Sequence, residues 1–107
     1  MKRFGQVIRL QPGALETYKT YHAAVWPEVA ATIRACHIQN YSIYQRDGFL
    51  FAYLEYTGTN FKADMARMAA DPKTQEWWAI MEPLQEPLDT RQVGEWWADM
   101  EECFHQD

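Results

Sequence analysis

Two apolar runs, Ile38 to Gln45 and Phe49 to Tyr56, flank Arg46-Asp47-Gly48 and constrain this chain more than any other stretch. Asp-Gly supplies the positive φ angles that a tight hairpin turn needs, and the flanking β-branched and aromatic residues suit strands. On the second strand one face carries Phe49, Phe51 and Tyr53, and the other Leu50, Ala52 and Leu54. Antiparallel sheets usually leave one face to water, but neither of these faces is polar. Helices must therefore cover one face and something else the other. In a chain of 107 residues, a second copy of the chain is the economical cover.

The remaining elements are read around that hairpin. Lys2 to Leu10 reads as a strand, stopped by the turn pair Pro12-Gly13. Ala14 to Cys36 reads as helical with a break at Pro27, which suits the first turn of a second piece that buries Val29 and Ile33. Thr59 or Asn60 can cap a helix running to about Ala70, with Phe61, Met65 and Met68 on one stripe. Asp71-Pro72 then starts another helix, with Asp as cap and Pro at the first position, and this helix carries Trp77, Trp78 and Met81. Glu82 to Gly94 shows no period. Glu95 to His105 fits a helical stripe by periodicity, yet the order β-α-β-β-α lacks one strand to complete a ferredoxin-like split βαβ sheet. Topology thus predicts a strand near Met100 to His105. The fold expected is α+β, a ferredoxin-like β-α-β-β-α-β antiparallel sheet in one domain spanning 1–107.

Composition excludes several function classes. The net charge is −5 and the ten Lys and Arg are scattered, so nucleic acid is not an expected partner. No apolar run follows Met1-Lys2-Arg3 and no segment approaches a membrane span, so the expectation is a soluble cytoplasmic protein without a membrane partner. Cys36 and Cys103 lack CxxC spacing, and His22, His37 and His105 lack ligand spacing, so reduced thiols and no bound metal are expected. Five Trp, six Tyr and five Phe are many for so short a chain. Such side chains suit binding sites and interfaces, where an apolar body and a polar tip are both used.

One histidine stands out. Tyr18 and His22 are four apart in Leu15 to Glu28, so a helix places phenol and imidazole on one face beside Leu15 and Val25. Imidazole titrates near neutrality and can both give and take a proton at working pH. The residues alone fit equally a core-facing helix whose histidine is merely hydrogen-bonded.

Taken together, Tyr18, His22, Val25-Trp26-Pro27-Glu28, Asn40-Tyr41-Ser42-Ile43-Tyr44, Leu50-Phe51-Ala52, Trp77-Trp78 and the ending Glu101-Glu102-Cys103-Phe104 resemble the L-rhamnose mutarotase family. The resemblance covers nearly the whole chain in order. It departs after Pro83 and at Cys103-Phe104-His105, where bulkier apolar residues are common. It implies a dimeric α+β barrel in which two subunits bring their sheets together, and an isomerase that interconverts the α and β anomers of a 6-deoxy sugar without cofactor or metal. By the same resemblance the general acid/base is His22, and the sugar-contacting residues are Tyr18, Tyr41, Trp77 and Trp78.

That chemistry sets demands on the residues. The cyclic hemiacetal must open, turn about C1–C2 and close on the other aldehyde face, and a positioned imidazole contributes about 10²–10⁴-fold to such proton transfers. The second proton partner is open between a tyrosine, Glu101 or Glu102, and an ordered water. Tyr41 and Tyr44 have opposite parity, so only one faces the pocket, and the resemblance selects Tyr41. Trp77 and Trp78 lie roughly 100° apart on a helix, so at most one lies flat against a sugar. Trp26, Trp96 and Trp97 are assigned to packing or the dimer interface, or to a pocket wall, and Glu28 to the helix start. Alternatives are an L-fucose mutarotase, a haem-handling protein or monooxygenase of the same barrel type with His22 as ligand, and a non-catalytic assembly module.

Overall fold

The computed structural model describes residues 1–107. Strand β1 is Lys2–Leu10 and is followed by helices α1, Leu15–His22, and α2, Pro27–Ala35. The hairpin strands are β2, Ile38–Arg46, and β3, Phe49–Tyr56, and helices α3, Phe61–Ala70, and α4, Pro72–Met81, follow them. A 3₁₀ turn at Glu82–Leu84 leads into β4, Gln85–Glu86, and the last strand, β5, is Ala98–Met100. All pairings are antiparallel in the order β2-β3-β1, with β4 and β5 both on the free edge of β1. This is the expected ferredoxin-like α+β arrangement.

Local chemistry accounts for the boundaries. Asp47 and Gly48 take φ of 54° and 80°, the left-handed pair of a two-residue hairpin, so Arg46 joins β2 instead of the turn. Trp26 is extended (φ −59°, ψ 130°) because it precedes Pro27, which opens α2 at its first position. The Asn60 side chain accepts from the Ala63 amide, and Asp71 accepts from both the amide and the hydroxyl of Thr74 at 2.9 Å. Those two caps start α3 and α4 where the sequence places them.

The two faces of the sheet differ as the hairpin pattern requires. Leu50, Ala52 and Leu54 are buried, and Leu50 joins Ile8, Val29, Tyr18, Trp77 and Met81 in the core between sheet and helices. On the opposite face Phe51 and Tyr53 stay exposed beside Tyr44, which is 68 % exposed, and Met100. Within this chain nothing covers that apolar face.

The last strand corrects the sequence expectation of Met100 to His105. Residues 101–107 have no regular structure, and pairing occurs at Ala98–Met100. The reason is steric and local. Ala98 is small enough to lie buried opposite Val7, and Met100 sits opposite Gly5, where a Cβ would come within 3.4 Å of its terminal methyl. Extending the strand in this register would set Glu101 opposite Phe4, whose ring stacks on Phe61, an apolar setting for a carboxylate. The stretch read as aperiodic also hides an element. Gln85–Glu86 pairs with Leu10 and Arg9, and Ala98 resumes at Val7, so one edge strand is interrupted by the excursion Pro87–Trp97.

Candidate active site

A cavity of about 1030 Å³ lies between the sheet and the helices, with 20 of its 30 lining residues hydrophobic. It is larger than one monosaccharide needs and apolar enough to strengthen the few polar contacts it contains. Tyr18, His22, Tyr41, Trp77 and Trp78 all line it, so the five residues singled out in the sequence converge on one space.

Helix α1 supplies two of them. It is only eight residues long and no side chain caps its start, so it owes its place to packing, chiefly of the buried Tyr18. One turn later the His22 ring stacks on Tyr18, with centroids 4.1 Å apart and planes 22° apart. His22 Nδ1 lies 2.8 Å from the Tyr18 carbonyl oxygen. A carbonyl can only accept, so Nδ1 carries the hydrogen, and in the neutral ring Nε2 is left with a lone pair. Burial pushes the imidazole pKa below its ordinary value, against the smaller opposing pull of that hydrogen bond. His22 is thus a neutral base at neutral pH.

Tyr41 reaches the cavity through an irregularity in β2. Gln39 pairs with Glu55 but Ser42 with Tyr53, so one extra residue is accommodated, and Asn40 takes a φ of 49° to do so. This bulge flips the parity. Ile38 and Ile43 therefore both point to the core side, and Tyr41 shares that side while Tyr44 points out. Tyr41 is 41 % exposed, but its hydroxyl is enclosed by protein, and burial raises its pKa. Burial also raises that of Tyr18, with the nearby Tyr41 adding to it and Gln85 opposing it. Both phenols remain protonated and can serve as hydrogen-bond donors.

Helix α4 delivers the tryptophan doublet with unequal fates. Trp77 is 6 % exposed and meets His22 edge-on at 5.4 Å, with Trp26 and Tyr21 packed around it. Trp78 is 37 % exposed and open to the cavity. Trp77 is the backing of the imidazole and Trp78 the free wall.

Three points go beyond the sequence reading. Of the roles open to Trp96 and Trp97, packing, interface or pocket wall, the structure shows both lining the cavity, and Trp96 Nε1 donates to Gln85 Oε1 at 2.8 Å. Gln85, buried on β4 and lining the cavity with Tyr18, is a polar cavity residue that the sequence did not disclose. Its neighbours Leu84 and Glu86 supply no alternation that would have flagged a strand. Glu101 and Glu102, considered for the second proton, do not line the cavity, and Glu102 pairs with Arg3 at 2.9 Å. The charged lining residues are Lys19, Arg34 and Glu82, all exposed. No three His, Cys, Asp or Glu side chains gather as a metal site would require, and no helix is long and apolar enough to cross a membrane.

A family model described as L-rhamnose mutarotase matches residues 3–106. The L-rhamnose mutarotases of Lactiplantibacillus plantarum and Bacillus subtilis are 36% and 33% identical to this chain, each over the full length of both proteins. Among solved structures, the L-rhamnose mutarotase of Formosa agariphila superposes with a TM-score of 0.78 at 22% identity, covering all of both chains. Tetracenomycin F2 cyclase of Streptomyces glaucescens superposes at 0.68 with 14% identity, again over all of both chains. At such identities the two structures speak to the fold alone, and they show the dimeric α+β barrel type in the chain's own architecture.

Proposed function

The chain belongs to the L-rhamnose mutarotase family, and from that premise we propose that it interconverts the α and β anomers of L-rhamnose with His22 as the proton-transfer group. The family is one of anomer-interconverting isomerases, which favours the sugar reading over the haem-handling alternative. The observation that carries the mechanism is the hydrogen bond from His22 Nδ1 to the Tyr18 carbonyl, which leaves a neutral Nε2 acceptor in an aromatic cavity.

The steps balance around that atom. Nε2 takes the proton of the anomeric hydroxyl as the C1 to ring-oxygen bond breaks, giving an aldehyde and an imidazolium. The ring oxygen is bonded to the same carbon, so the imidazolium can deliver the proton there and become neutral again. Rotation about C1–C2 and the reverse sequence close the other anomer. Tyr18 and Tyr41, held protonated by burial, donate hydrogen bonds to sugar oxygens, and no net proton leaves either. Trp78 offers an apolar face to the ring and methyl group, while Trp77 holds the imidazole from behind.

A homodimer formed through the exposed sheet face is part of the proposal, because Tyr44, Phe51, Tyr53 and Met100 need a cover that the subunit does not provide. A cytoplasmic location is supported by two free cysteines in a sugar-metabolism family. The test is saturation transfer between the two anomeric protons of L-rhamnose. The wild type is expected to raise the exchange rate, and His22→Ala to lose the gain while its circular dichroism is retained. Equal exchange in the two proteins refutes the role of His22, and a panel including L-fucose reads substrate choice.

A further inference from the structure

Gln6 is a polar side chain on the sheet floor of the cavity, with the parity of Ile8 and Leu10 and so directed to the helix-covered side. Its inward neighbours on β1 are Phe4 and Ile8 and its partner on β3 is Ala52, all apolar, so nothing there calls for an amide. On the other edge its partner in register is Asp99 of β5, and Gln6 Nε2 donates to Asp99 Oδ1 at 3.0 Å. A carboxylate oxygen only accepts, so the atom facing Asp99 is the amide nitrogen and the amide oxygen is turned elsewhere. Asp99 is itself held: its backbone amide donates to Glu95 Oε2 at 3.2 Å, and Glu95 Oε1 accepts from the Gln92 amide at 2.8 Å. No protein group donates to Gln6 Oε1, and the side-chain atom sealed without a partner is Arg9 Nε, so the Gln6 oxygen is open.

Acceptors are scarce in this cavity. Among its buried and half-buried side chains three atoms can only accept: His22 Nε2, Gln85 Oε1 and Gln6 Oε1. Gln85 Oε1 already takes the Trp96 N–H, and Thr74 is sealed at 1 % exposure with its hydroxyl on Asp71. His22 Nε2 serves the anomeric hydroxyl. A hexopyranose brings further hydroxyls, and each needs an acceptor once it leaves water. We propose that Gln6 Oε1 accepts from a sugar hydroxyl away from C1, which makes Gln6 a specificity-determining residue of the site. Ile8, two residues along the same face and about 7 Å away, belongs to one core cluster with Tyr18 and Trp77, the rings that flank His22. A pyranose with its hydroxyls bridges such a separation. Asp99 strengthens the contact, because a carboxylate on the NH₂ end polarises the amide and makes its oxygen a better acceptor. A fixed acceptor also reads configuration, since an epimer or deoxy sugar leaves that oxygen unpaired.

This inference rests on the mutarotase reading, and binding and exchange are measured separately so that each can fail alone. Tryptophan fluorescence titration with L-rhamnose gives Kd, and saturation transfer gives the exchange rate. A wild type that binds the sugar without speeding exchange rejects the mutarotase reading and leaves Gln6 to be judged on Kd. A wild type that does not bind L-rhamnose rejects both. Gln6→Met keeps the length of the side chain and removes the acceptor, and it should weaken L-rhamnose binding about three- to tenfold, with KM rising in step. The distinguishing signature comes from the 2-, 3- and 4-deoxy analogues of L-rhamnose. The analogue without the hydroxyl that Gln6 holds has already lost the contact, so for that sugar Gln6→Met and wild type should share one Kd, while the other two keep the difference. A glutamine that only shaped the cavity would weaken all of these sugars alike. Asp99→Ala, on the exposed edge, releases the amide and should weaken L-rhamnose binding about two- to threefold with the same dependence on the analogue, which keeps the test available should Gln6→Met fail to fold. Wild-type Kd for L-rhamnose in the folded variants, or equal losses across the three deoxy sugars, overturns the assignment.

Discussion

The adjacent tryptophans of α4 should fail in two different ways when each is changed. Trp77 is a core residue whose indole touches His22, Tyr21 and Trp26 at centroid separations of 5.4, 6.0 and 5.2 Å. Trp77→Phe keeps an aromatic ring but leaves a void of about one ring, which should cost about 1–2 kcal/mol. For a domain of this size that lowers Tm by roughly 5–15 °C. The void opens beside the imidazole, so kcat should fall several-fold as His22 loses its backing. Trp78 is 37 % exposed, and that open surface is the part a sugar can cover. An aromatic side chain buries at most about 150–250 Å², so roughly 55–90 Å² is still available. At about 25 cal/mol per Å² the contact contributes about 1–2 kcal/mol, and Trp78→Ala should weaken sugar binding roughly 5- to 30-fold. Saturation-transfer rates over a range of L-rhamnose concentrations give KM and kcat, and a circular dichroism melt gives Tm. The division of labour is refuted by a Trp77→Phe protein that melts like the wild type and only raises KM. It is refuted equally by a Trp78→Ala protein that loses 10 °C of Tm and binds sugar normally.

Two further outcomes are expected. Because burial lowers the His22 pKa and the neutral ring is the active form, kcat/KM should hold down to pH 6.5 and bend only below it. The same depressed pKa means that any stability linked to the neutral ring is present above the unfolded value and lost as pH falls through the folded one. A bend above 6.5, after subtraction of spontaneous exchange, contradicts the geometry. Phe51→Asp places a charge in the middle of the uncovered sheet face, beside Val7 on β1 and Tyr44 on β2, and should convert a dimer to a monomer by light scattering. A dimer that persists at micromolar concentration would show that this face is not the interface.

How far the sequence could be read depended on whether a signal was local. The Asp47-Gly48 turn, the Asn60 and Asp71 caps and the Pro27 restart each follow from the chemistry of one or two residues, and each stands where it was expected. The pairing of Tyr18 with His22 was equally local, a single helical turn. Tyr41 was a different matter, since parity only excluded Tyr41 and Tyr44 sharing a face. The bulge at Asn40 decides which one looks inward, and an asparagine in a strand does not announce a left-handed φ. Gln85 was invisible for the same reason in stronger form. Its place depends on Leu10 and Trp96, partners brought together from distant parts of the chain. The end of the chain was misplaced because topology asks for a last strand without fixing its register, whereas the pairing is selected by Gly5 and Val7 on the strand opposite.

The interrupted edge strand explains why such a site is stable at all. Holding Pro87–Trp97 as a loop between two short pairings carries a closure cost of about 2 kcal/mol, compared with an uninterrupted strand. Something must offset it, and the loop's own ending does. Trp97 packs against the core cluster, and burial of most of an indole is worth about 2–3 kcal/mol. The Trp96 to Gln85 hydrogen bond adds about 1 kcal/mol in a partly buried setting. The residues that close the loop are thus also those that wall the cavity and orient its amide. A shortened loop leaving one small residue between Glu86 and Ala98, opposite Ile8, would recover regular pairing and lose both indoles together, so at this edge stability and site chemistry are carried by the same two side chains.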